Sequence, residues 1–70
     1  MKDSYTAVIK NNDPWWIGWI EEVPGVNCQE RSKVELIESL RETLREALEY
    51  NRQDALKAAG DGFEETSISL

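Results

Sequence analysis

The side chains that could carry chemistry in this 70-residue chain are few. Cys28 is the single cysteine, and there is no histidine. A thiol becomes a strong nucleophile as the thiolate, which a neighbouring histidine usually generates, and the same imidazole is the usual general base near neutral pH. Neither service is on offer here. One thiol cannot close an intrachain disulfide or hold a zinc ion, so Cys28 reads as a small packing residue on a strand. Glu21-Glu22 and Glu64-Glu65 are adjacent pairs, and neighbours on an extended segment point to opposite faces, so neither pair forms a shared carboxylate site. The "GDG" at Gly60–Gly62 is a loop signal, well short of a phosphate-binding motif. No catalytic residue, metal or cofactor is expected.

What remains is aromatic. The run "DPWWIGWIEEVPG", Asp13 to Gly25, carries all three tryptophans, at positions 15, 16 and 19. Three uses compete for them: a core within the chain, a platform for stacking bases, and a surface that another chain covers.

The elements that must position these rings follow from pattern. Tyr5 to Lys10 alternates β-favouring residues and reads as a strand. "NNDP" is a turn, and Trp15 to Ile20, extending towards Val23, is a second strand hairpinned to the first. Pro24-Gly25 turns the chain again into a short third strand in "VNCQE". Ser32 then opens a helix, with Ser32 and Glu35 spaced as a capping box. Leu36, Ile37, Leu40, Leu44, Ala47 and Leu48 form one apolar stripe. Glu38, Glu42, Arg45, Glu49 and Arg52 lie opposite, with Glu38–Arg41 and Glu42–Arg45 as weak i,i+3 pairs. Carried on to Ala59, the helix would be roughly 40 Å long at ~1.5 Å per residue, twice what a short strand offers at ~3.3 Å per residue. It must overhang the sheet or break near Asn51 to Asp54. After Gly62, "FEETSISL" sets Thr66, Ile68 and Leu70 on one face of a final strand.

The expected fold is therefore one α+β domain spanning residues 1–70. It is a β-β-β-α-β chain, an antiparallel three-stranded meander with one covering helix. A right-handed crossover places the last strand beside and parallel to the first. Alternation separates Trp16, Gly18 and Ile20 from Trp15, Ile17 and Trp19. Gly18 would let a helix approach closely, which assigns Trp16, Gly18 and Ile20 to the sheet face under the helix. Trp15, Ile17 and Trp19 then fall on a bare face. At ~150–250 Å² per aromatic side chain they would expose on the order of 500 Å². Monomers seldom leave such a patch open, so it reads as a protein interface.

Size and charge point the same way. A domain this small hides only roughly 60% of its unfolded surface and is usually reinforced by a disulfide, a metal or association. The first two are missing from the composition, which leaves a homo-oligomer or another protein partner. The net charge is −6, from 14 acidic and eight basic residues. Such a surface repels phosphate backbones and anionic lipid and attracts a basic protein. No direct nucleic-acid binding and no membrane association are expected. The start "MKDSYTAVIKNN" has no long apolar core, and a lone thiol suits a reducing cytoplasm.

With these elements in place, the segment from Ser4 to Arg52 resembles the HicB-like antitoxins of bacterial toxin–antitoxin pairs. The resemblance lies in a first strand of Y-x-A-x-I type ("YTAVI"), an aromatic second strand running into "EVPG", and a Gln-containing third strand. A Ser-x-x-Glu helix start, the Leu40, Leu44 and Leu48 core and the Asn51-Arg52 pair complete it. The resemblance implies a partial ribonuclease-H-like fold, self-association, and a stoichiometric partner. That partner would be a small basic RNA-cleaving toxin whose active surface the antitoxin covers. Glu30 stands where the family often has glycine. The sequence ends at Leu70 without the DNA-binding module that many members carry, so the resemblance is to short, stand-alone members and autorepression is not expected.

Overall fold

The computed structural model describes residues 4–70. Three antiparallel strands, β1 (Ala7–Asn12), β2 (Trp15–Ile20) and β3 (Asn27–Glu30), form a sheet in the order β1-β2-β3, and one helix, α1 (Lys33–Ala59), follows. β1 begins two residues later than its apolar alternation suggests and runs through Asn11 and Asn12. The ladder continues to the Asn12↔Trp15 pair, so only Asp13 and Pro14 make the turn. The asparagines sit where the sheet ends and water begins, and pairing with Trp15 and Trp16 outweighs their turn preference.

Ser32 adopts an extended backbone and its Oγ accepts the Glu35 N–H at 3.2 Å. Only this half of the capping box forms. Leu36 and Leu40 are fully buried and pack with Ile20, Val23 and Val26. Ile37, Leu44 and Leu48 are half-buried on the same stripe. Two polar contacts fix the lateral position of α1. Ser39 Oγ donates to Glu30 Oε2 at 2.7 Å, and one turn on, Thr43 Oγ1 lies 3.4 Å from Cys28 Sγ. Both tie the helix to β3. α1 accordingly lies over β3 and β2 and leaves the β1 side of the same face largely bare. Arg41 pairs with Glu38 at 2.7 Å. The expected Glu42–Arg45 pair does not form; Glu49 and Arg52 approach instead, at 3.8 Å.

The helix runs unbroken through Asn51 to Asp54. It overhangs. From Asn51 to Ala59 only Leu56 is even half-buried, and Gly60 ends the helix at φ 70°, its N–H reaching Leu56 O.

The expected final strand is not formed. Residues 63–70 have no regular structure and are exposed throughout, with Ile68 at 81%. The overhang explains it: by Ala59 the chain has travelled well past the sheet, and a strand cannot form without an edge beside it. Surface and dimensions record the result. The radius of gyration is 15.1 Å, where a compact chain of this length gives about 11 Å. The accessible surface is 5898 Å², against roughly 4,450 Å² for a compact monomer of this mass.

Candidate functional site

The register of the sheet sorts the tryptophans between its two faces. Gly18 pairs with Ile9 and with Cys28. A Cβ built on Gly18 would stand 3.1 Å from Leu40 Cδ1, so this row faces the helix. Trp16, Gly18 and Ile20 thus lie under α1: Ile20 is 5% exposed and Trp16 packs against the core. Trp15, Ile17 and Trp19 occupy the opposite face, which no element among the described residues covers. Their cross-strand partners there are Asn12, Lys10 and Val8 on β1 and Gln29 and Asn27 on β3.

That face is less apolar than a count of its indoles suggests. The Arg31 guanidinium lies 4.5 Å above the Trp15 ring, a cation–π contact that hides much of one indole while keeping its own charge wet. Ile17 is half-buried between its neighbours, and of the three only Trp19, at 42%, is strongly exposed. The expectation of two bare indoles and a bare isoleucine is corrected to one exposed ring inside a polar frame. The covering residue was visible in the sequence, but its position over Trp15 depends on the β2–β3 register, which fixes how far past Glu30 the chain has turned.

Lys10 and Arg31 share this face with Trp15 and Trp19, which makes a small aromatic and basic surface. Two cations set against a net charge of −6 fall short of the electropositive groove that single-stranded nucleic acid requires. Five of the acidic side chains lie on the outer side of α1, at Glu35, Glu38, Glu42, Glu46 and Glu49, all exposed.

Two further groups make structural contacts. Glu22 lies in the turn after β2, not on a strand, and its carboxylate accepts from Thr6 N at 2.8 Å and Thr6 Oγ1 at 2.7 Å. It thereby locks the start of β1 to the end of β2. Cys28 is half-buried against the core as a free thiol. Among the described residues no three His, Cys, Asp or Glu side chains cluster as a metal site, and no helix is long and apolar enough to cross a membrane.

Fold and surface together define a small α+β domain with a one-sided sheet. The chain matches no protein-family model, no curated protein and no solved structure.

Proposed function

We propose that this chain is a non-catalytic binding protein of the HicB-like antitoxin kind, which neutralises a small basic RNA-cleaving toxin by masking its active surface. One observation carries the reading: a three-stranded sheet sheltered by a helix on one face only, with Trp15, Ile17 and Trp19 on the other. A second polypeptide would complete this face around Trp19, the one ring of the three that is left strongly exposed. The acidic composition supports the choice of a basic one, since complementary charge speeds encounter and selects the partner. In this reading the segment from Phe63 onward supplies the fourth strand of a partial ribonuclease-H-like sheet, and the protein works in the cytoplasm, where Cys28 stays reduced.

The test is co-expression with a small basic open reading frame next to this one. The neighbour alone should arrest growth, and this chain should restore it and co-purify with its product. The Trp15→Ser/Trp19→Ser double variant should lose rescue while its far-ultraviolet ellipticity stays near that of the parent. If no neighbour is toxic, or if this chain neither binds nor rescues, the antitoxin reading is wrong. If the double variant unfolds, the indoles belong to the core and not to an interface.

The elongated form, with its surface excess, favours a second reading from another class: an orphan homo-oligomer of structural or regulatory role. It predicts self-association and no toxic neighbour.

A further inference from the structure

α1 leans towards β3, and on the opposite flank a groove of about 430 Å³ opens between the helix and β1. Ser4, Tyr5 and Ala7 line it on the strand side and Ile37, Leu44 and Leu48 on the helix side, with Arg41 and Arg45 among its lining. Arg45 makes no ion pair among the described residues. The groove opens at the start of β1, which is an outermost strand of the sheet and whose outer edge pairs with no other described strand. The Thr6 carbonyl accepts from Glu21 N–H, and the antiparallel ladder alternates, so the backbone groups of Ala7, Ile9 and Asn11 point outward with no strand to meet them. An apolar slot beside an open β-edge is a seat for an added strand.

The chain also carries a strand without a seat. Phe63–Leu70 is exposed, and its alternation places Glu64, Thr66, Ile68 and Leu70 on one side. Laid parallel to β1, this side enters the groove with Ile68 and Leu70 towards Ile37 and Glu64 at the Arg45 end. The charges match at one end, where Glu64 meets Arg45; Arg41 is already paired with Glu38.

The tail is badly placed to reach its own groove. Gly60 lies ~18 Å beyond Leu48 at ~1.5 Å per residue, while residues 61–70 span ~33 Å when extended. A return within the chain would spend more than half of that retracing bare helix, leaving Glu64 short of Arg45. A second copy has no such constraint.

We infer that two copies of this chain exchange their tails, each Phe63–Leu70 adding as a parallel strand to β1 of the other and filling the β1–α1 groove. The arrangement is a closed two-fold dimer. Each chain's surface exceeds that of a compact monomer by roughly 1,400 Å², while a standard interface buries only about 800 Å² per partner. The inference does not depend on a toxin, and it uses the β1 edge, leaving the tryptophan face free.

The test is sedimentation equilibrium on the full chain at micromolar concentration. The parent should be a dimer. Ile68→Asp/Leu70→Asp should raise the dimer dissociation constant by about a hundredfold or more, equivalent to roughly 2.8 kcal/mol or more, with unchanged helical ellipticity. Arg45→Glu should weaken the dimer, and adding Glu64→Arg should restore it. In a Cys28→Ser background, mixing an Asn11→Cys chain with an Ile68→Cys chain should give an interchain disulfide on mild oxidation, because this register sets Ile68 beside Asn11. A monomeric parent, a dimer indifferent to the tail substitutions, or a disulfide that forms only within doubly substituted chains would overturn the exchange. The readout is mass and cross-linking, whereas the antitoxin reading is judged by rescue through Trp15 and Trp19, so either can fail alone.

Discussion

Replacing Gly18 by alanine sets two effects against each other. Alanine in a strand interior restricts the unfolded chain more than glycine does, a gain of roughly 0.5–1 kcal/mol. Against it, the new Cβ would stand 3.1 Å from Ile9 Cγ2, from Leu40 Cδ1 and from the Val8 carbonyl oxygen. The carbonyl belongs to the β1–β2 pairing and the methyl groups are held by the core, so relief requires β1 and the Leu40 side chain each to give by a few tenths of an ångström. Overpacking of this kind costs about 1–3 kcal/mol. The expected net loss is about 1 kcal/mol, a sizeable part of the ~3–10 kcal/mol available to a domain of this length. Leu40→Val removes the Cδ1 contact and alone should cost about 1–2 kcal/mol, from a lost methylene and a β-branched residue in the helix. Combined, the two should cost less than their sum by about 1 kcal/mol, because the methyl group added at position 18 fills space that the shortened side chain at position 40 vacates. The assay is urea unfolding followed by tryptophan emission and far-ultraviolet ellipticity, at one protein concentration because association shifts apparent stability. With a slope near 1 kcal/mol/M, Gly18→Ala should move the midpoint by about 1 M. A Gly18→Ala chain as stable as the parent, or strict additivity in the double variant, would refute the close seating of α1 on β2.

Ser32→Ala should cost about 1 kcal/mol by leaving the Glu35 N–H without its cap, and Ser32→Gly only a few tenths, measured in the same urea series. Arg31→Ala should raise acrylamide quenching of tryptophan emission by uncovering Trp15, with a stability loss of no more than about 1 kcal/mol; unchanged quenching would mean the guanidinium does not cover the ring in solution. Asp54→Pro should abolish about a quarter of the helical ellipticity by breaking the overhang, yet leave the urea midpoint of the monomer in place, because Leu36, Leu40, Leu44 and Leu48 all precede it. A lowered midpoint would show that the overhang contributes to the core.

That three strands and a helix follow one another, and which faces they turn inward, was written into the sequence. The period-two run at Trp15–Ile20 and the three-to-four spacing of Leu36, Ile37, Leu40, Leu44 and Leu48 each leave one apolar side, and burying that side is the main force available to so short a chain. Gly18 marked the close approach of helix to sheet, and Ser32 marked the start of the helix. Local pattern could not say where along the sheet the helix would settle. Ser39–Glu30 and Thr43–Cys28 decide that by drawing α1 over β3, and the groove beside β1 exists because of that lean. Nor could pattern choose between a bent helix and an overhanging one, since intrinsic preference at Asn51 to Asp54 is nearly neutral and the outcome turns on whether the sheet has anything left to hold it. The fate of Phe63–Leu70 follows from the same fact. An alternating segment becomes a strand only where an edge meets it, and this chain's own geometry carries the segment away from the sheet and its edges.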